Sequence, residues 1–297
     1  TRLFAIARRS ITSGSPAATF SYSGSFPGWA NLNTATGVIS GTPLNAVGSP
    51  FTFTLQASNG VGAPATQTFT LTVQAAPIIN TPPASQSVAV GQNVTFTVSA
   101  SGTPAPTTYQ WQRQAAGVPG FVNLVDGIGV AGSTTSSLTI GNASLAMSGD
   151  QFQVLVGNGI ATSTSAVATL TVTQAPAITS AASAIFVVGT AGTFTVTATG
   201  SPAVSYSVAS GSFPAWASLN TSTGVISGTP ANTVGSPFSF VVQAANGVGT
   251  PATQAFTLTV SPTPVVPVFS LQPASASVNI NQVAAFTATA TGTPAPT

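Results

Sequence analysis

Residues 24–73 of this 297-residue chain read GSFPGWANLNTATGVISGTPLNAVGSPFTFTLQASNGVGAPATQTFTLTV. They recur at 211–260 as GSFPAWASLNTSTGVISGTPANTVGSPFSFVVQAANGVGTPATQAFTLTV, with most positions identical and no gap. A second segment, PIINTPPASQSVAVGQNVTFTVSASGTPAPT (77–107), returns as PVFSLQPASASVNINQVAAFTATATGTPAPT (267–297). The order is unit A, unit B, unit A and the opening of another unit B. Each repeat solves the same folding problem again, and arrays of this kind serve to span distance or to assemble. A repeat of about 90 residues is the size of one ordinary domain.

Within each unit the apolar residues alternate at period two. FTFTLQA (51–57), TFTLTV (68–73), VTFTVSA (94–100), SLTI (137–140), FQVLV (152–156) and ATLTV (168–172) carry the pattern of half-buried antiparallel strands. Turn dipeptides punctuate them: Asn-Gly at 59–60, 158–159 and 246–247, and SGTP at 40–43 and 227–230. No stretch reads as a helix of ten or more residues. Several short strands per unit predict an all-β chain of antiparallel sandwiches. The units meet at proline-marked junctions, QAAP (74–77), QAP (174–176) and SPTPVVP (261–267), short enough to predict a fairly stiff, elongated rod.

Composition removes whole classes of chemistry. Charged residues make up 2% of the chain, against about 25% in an ordinary domain. Hydrophobic residues make up 43%, rich in Val, Thr, Ile and Phe, so the chain has the means to build a core and is not of disordered type. No run approaches the length of a membrane-spanning helix. The net charge of +2 rests on a handful of charges, with Arg2, Arg8 and Arg9 at the start, which argues against nucleic-acid binding. There is no Cys for a disulfide or a thiolate, no His or Glu for a zinc site, and no Lys for an isopeptide crosslink or a Schiff base. LFAIA (3–7) is too short for the apolar segment of a secretory signal.

Unit B resembles an immunoglobulin-like domain of the I-set type through VGQNVTFTVSASGTPAP (90–106), Trp111 in YQWQ, SSLTIGNASLAMSGDQFQVLVGN (136–158) and ATLTV. The resemblance places Val98 and Val154 where that family carries its paired cysteines, on either side of Trp111. A bridge would contribute about 2–4 kcal/mol. A buried Val contributes roughly 1.5–3 kcal/mol without an oxidant. Phe152 stands at the tyrosine-corner position, without the hydroxyl. Unit A resembles the putative-Ig, cadherin- and dystroglycan-like domains of large bacterial surface proteins. The residues that carry this are FPxWxxLNxxTGVISGTP (26–43 and 213–230), VGSPFxF (47–53 and 234–240) and the final FTLTV. Asn59 and Asn246 occupy positions where calcium-binding kin use Asp. With no carboxylate in unit A, a hard-cation site is not expected.

The chemistry-bearing residues are few. Asp126 and Asp150 would be the acid and base of a glycosidase-type pair, or else turn residues, the reading favoured by Asp126-Gly127 and by Ser148-Gly149 before Asp150. Arg113 is expected at the surface or paired with Asp126. Trp29, Trp216, Tyr22 and Tyr206, read as matched repeat positions, would form a sugar platform if exposed, or plug the end of the sandwich if buried. Asn93, Asn142 and Asn220 head N-x-Ser/Thr triplets, which mark surface positions.

The expected organisation is 1–74 partial putative-Ig domain, 75–174 Ig-like domain, 175–261 putative-Ig domain and 262–297 the first strands of a further Ig-like domain. The function expected first is a non-enzymatic extracellular stalk, fibre or filament at a bacterial surface. The alternatives are an adhesin that binds glycan or host protein through its loops, and an accessory module of a larger secreted enzyme. No catalytic, cofactor or metal residue is expected. The partners expected are head-to-tail copies or continuation in a longer array, with no nucleic acid and no membrane span. Association through such a surface should depend little on salt.

Overall fold

A computed structural model describes residues 15–295. Arg2, Arg8, Arg9, the 3–7 segment and the last two residues of GTPAPT (292–297) lie outside the described residues. The chain separates into two compact units, Thr1–Thr171 and Val172–Thr297. Among the described residues, strands dominate, and a single 3-10 turn, Leu145–Met147, is the only helical element.

The first unit begins with the antiparallel strands Thr19–Gly24, Phe51–Ser58 and Ala65–Leu71, beside a small ladder of Ala30–Leu32 and Ile39–Gly41. Alternation puts Phe53 inward, 1% exposed, where Phe26 (5.0 Å) and Phe69 (5.5 Å) meet it.

An Ig-type sandwich follows. One sheet carries Val122–Asn123, Thr108–Gln114, Gln151–Gly157 and the start of Ala168–Ile178. The other carries Val130–Ala131, Ser137–Ile140 and Val94–Thr97. Trp111 lies directly opposite Val154, both fully buried, and Val98 is 6% exposed. The three positions assigned by resemblance therefore share one core. Phe96 fills the space beside them, 4.7 Å from Phe152 and 6.4 Å from Trp111. The Trp111 indole N–H donates to the Thr135 carbonyl (2.9 Å), so its polar edge is satisfied.

In the second unit Ser183–Val187, Ala252–Ser261, Phe238–Ala245 and Ser205–Gly211 form one sheet. Gly192–Thr195, Val225–Gly228 and Ala217–Leu219 form the sheet across from it. Phe186, Ile226, Phe240, Phe256 and Leu258 close the core between them. Ser183–Val187 joins Ala252–Ser261 as a parallel ladder, which keeps this edge of the sheet paired. The QAP junction is no loop: residues 174–176 lie inside the strand Ala168–Ile178. Beyond it, Val265–Leu271 pairs with Thr289–Thr293.

The repeat alignment needs one correction. Phe20 stands opposite Ala57, whereas Tyr206 stands opposite Ala244, the repeat counterpart of Ala57. The partner of Tyr206 in the first copy is therefore Phe20. Tyr22, opposite Leu55, matches Val208, opposite Val242. The register shift between Val208 and Ser210 accommodates one extra residue, Ala209, and Tyr206 stands two positions before the counterpart of Tyr22, on the same face. Tyr206 is 8% exposed and Tyr22 is 48% exposed.

Candidate functional site

The two carboxylates do not form a pair. Asp150 is fully buried and receives Arg113 twice, at 2.7 Å from Nε and 2.6 Å from Nη2, while its other oxygen accepts the Ala116 N–H at 2.9 Å. Arg113 thus pairs with Asp150, not with Asp126. The strand register explains this: Arg113 lies opposite Phe152, two residues from Asp150. Asp126 instead accepts the Ser133 N–H at 2.7 Å. The Ser133 hydroxyl first, and its backbone N–H second, hold the Asp126 carboxyl below the usual carboxylate range. The Ser133 carbonyl in turn accepts the Trp111 N–H at 2.8 Å, so Asp126 anchors the loop that positions the core tryptophan.

The other candidates have structural work. Trp216 is half-buried between Phe186 (5.9 Å) and Phe238 (6.0 Å), and Trp29 lies edge-on to Phe51 (6.3 Å). Tyr22 stacks on Phe26 at 3.9 Å. The Asn93 side-chain oxygen accepts the Asn142 N–H at 3.0 Å, and both residues are exposed. The exposed Asn220 closes its turn by accepting the N–H groups of Ser222 and Thr223. A groove of about 500 Å³ runs over Phe152 and Ile140, rimmed by Ile128, Met147, Asn93 and Arg113. With Arg113 committed to Asp150, it offers an apolar floor and amide edges but no general base. Among the described residues, no group of three His, Cys, Asp or Glu could hold a metal.

The constellation best built for a task is an asparagine clamp at the start of two domains. In the Ig-type sandwich, Asn158 Nδ2 donates to the carbonyls of Ala75 (2.7 Å) and Pro104 (3.0 Å). Its Oδ1 accepts the N–H groups of Ile160 and Ala161 (3.2 Å each). In the second unit, Asn246 Nδ2 donates to the carbonyls of Gln174 (2.9 Å) and Pro202 (2.8 Å), and its Oδ1 accepts the Val248 N–H (3.1 Å). Ala75 lies opposite Thr103 and Gln174 opposite Ser201, each with a register irregularity just after it. The same local geometry recurs with Val265 opposite Thr293. Gly200 is needed for its close approach: a Cβ there would sit 3.0 Å from Asn246 Nδ2 and 2.7 Å from the Val204 side chain.

Sequence reasoning read these Asn-Gly pairs only as turns. The signal available was a pattern common to both unit types: Pro two residues after the clamped carbonyl, Gly-Ser/Thr-Pro later, then Asn-Gly. It also explains Asn246 in place of Asp. An amide donates to two carbonyls at once, which an ionised carboxylate cannot do.

Residues 4–74 and 175–261 match the family described as "Putative Ig domain", together more than half of the chain. The chain belongs to that family. Residues 76–158, between the two matches, fit the immunoglobulin domain family. The chain is a non-catalytic module of tandem Ig-like domains. It is 31% identical over 186 residues to Endoglucanase C of Cellulomonas fimi, covering 61% of this chain and 16% of that protein. The chain thus spans a small part of the curated relative it matches. Among solved structures, a three-Ig fragment of titin superposes with a TM-score of 0.56 at 15% identity, covering 83% of this chain and 89% of that one. The N-terminal four Ig domains of a Dscam1 isoform give 0.50 at 15% identity, covering 78% and 60%. These likenesses bear on the fold alone. Among the described residues no helix is long and apolar enough to cross a membrane.

Proposed function

We propose that the chain is an extracellular spacer: a non-enzymatic array of domains 1–74, 75–174, 175–261 and 262–297 that holds apart what it joins. The observation that carries this reading is the use of polar chemistry within the domains. The Arg113–Asp150 pair, the Asp126 anchor and both asparagine clamps each tie strands together inside one compact unit and, among the described residues, leave no assembled reactive group. The stalk or fibre at a bacterial surface remains the form favoured for such a spacer. The similarity to Endoglucanase C favours the spacer of a secreted enzyme as the second form. Adhesion through the groove beside Ile128 and Met147 is the competing reading.

The test is electron microscopy of material purified from its source without denaturant, with sedimentation of the isolated chain on insoluble cellulose. Filaments that persist in molar salt support a fibre. Short beaded segments attached to a separate globular body support an enzyme spacer. Saturable binding of the isolated chain to cellulose would overturn the spacer reading in favour of a binding module.

A further inference from the structure

Both clamp asparagines are followed by glycine, at Gly159 (φ 79°) and Gly247 (φ 77°). A glycine amide is the least hindered nucleophile a backbone offers to a preceding asparagine, because no Cβ shields it. We propose that Asn158 and Asn246 are deamidation sites, and that their irreversible conversion releases the first strand of each domain at neutral pH.

The Gly159 backbone nitrogen loses its proton and attacks Asn158 Cγ. The new C–N bond closes a cyclic imide, and Nδ2 leaves with an added proton as ammonia. Water then opens the imide to aspartate or isoaspartate. The same atoms serve at Asn246 and Gly247. While the clamp is closed, the N–H groups of Nδ2 are held by Ala75 and Pro104 in one domain and by Gln174 and Pro202 in the other. Asn158 is also 4% exposed. The reaction therefore proceeds from the opened clamp, so each domain's conversion rate reports how often its first strand lifts.

The product cannot close again in the same way. A carboxylate would be placed about 3 Å from two carbonyl oxygens, acceptor against acceptors. Two hydrogen bonds are lost, and the remaining contact is repulsive. Asn246 is the clean case. Residues 172–297 contain no Asp, Glu, His, Lys or Arg, and Tyr206 is their only titratable side chain. An aspartate at 246 would have nothing to pair with. Its folded-state pKa is raised, so the damage is present above the ordinary carboxylate range near about pH 4 and relieved below it.

The experiment holds the full folded chain at mildly alkaline pH and maps peptides over time, with Asn232, which precedes Thr233, as the internal reference. Hydrogen exchange is read on the strands Ala75–Thr81 and Ala168–Ile178. Asn158 and Asn246 should convert ahead of Asn232, and converted molecules should lose protection in those strands on the order of tenfold or more. The variant Asn246→Asp should reproduce that loss at neutral pH and recover part of it in acid, whereas Asn246→Ala should show a loss without recovery. Conversion no faster than at Asn232 would overturn the site. Wild-type protection in Asn246→Asp, or an identical pH-independent loss in both variants, would overturn the release.

Discussion

The Ig-type sandwich of residues 75–172 and the sandwich that ends at Ser261 stabilise a cysteine-free core in different ways. The first encloses one partner of an ion pair: Asp150 is fully buried and takes two bonds from Arg113, whose side chain is 35% exposed, and one from the Ala116 N–H. The second has no charge to bury. It relies on ring packing without an ion pair, with Phe256 lying 4.9 Å from Phe194 and 5.3 Å from Phe240, whereas the first adds its ion pair to the packing of Phe96 on Phe152. Both use the same asparagine clamp. The comparison separates what is interchangeable from what is not. The core packs rings with or without an ion pair beside them, whereas the start of each domain uses one solution twice.

The sharpest way to break the comparison is to remove one central group from each domain. Phe256→Ala leaves a cavity and should cost about 3–5 kcal/mol. Asp150→Ala leaves the Ala116 N–H without its acceptor, while Arg113, 35% exposed, turns to water, and a cost of about 1–3 kcal/mol is expected. Urea unfolding, followed by exchange protection in each domain separately, should show each variant damaging only its own sandwich. Equal loss in both domains would mean that they unfold as one.

A smaller effect is expected where a serine imitates backbone. Ser165 Oγ accepts the Val154 N–H at 3.0 Å and donates to the Ala166 carbonyl. Ser236 Oγ accepts the Val260 N–H at 2.8 Å, as Ser49 does for Val73. Ser165→Ala and Ser236→Ala should each cost about 1–3 kcal/mol by leaving a buried N–H unpaired. A thermal shift in only one of them would show that the two domains differ here as well.

The smallest effect belongs to Asp126, which is exposed. Its carboxyl is held below the usual range, so the stability it contributes is present at neutral pH and lost as pH falls through its folded value. Asp126→Asn should loosen the 126–133 loop slightly at neutral pH and remove that part of the acid sensitivity. Exchange measured against pH checks this, and residues 172–297 should show no counterpart.

The strands were legible because period-two alternation was intact: Phe51–Ser58, Ser137–Ile140 and Gln151–Gly157 lie where alternation places them. The Trp111–Val154–Val98 core was legible by resemblance, because packing against Trp111 needs volume there rather than sulfur. The clamps were not legible, since Asn158 and Ala75 stand 83 residues apart and local turn chemistry accounts for Asn-Gly without them. The partner of Arg113 was missed because strand register, not sequence proximity, sets it. The Tyr22 alignment failed because Tyr22 and Tyr206 stand two strand positions apart, which shared residue type hides and strand register reveals.

The parallel ladder of the second unit has a mechanical meaning. Ser183–Val187 lies near the beginning of its domain, and Ala252–Ser261 is its last strand. A pull that draws the start of Ser183–Val187 away from the end of Ala252–Ser261 acts along both strands and across the hydrogen bonds between them. The ladder from Ser183–Thr257 to Val187–Ser261 is then loaded in shear, every rung sharing the force. An antiparallel hairpin pulled at its open end gives way one rung at a time. In the spacer proposed above, the strand direction at this edge is expected to make the domain fail late and all at once under tension.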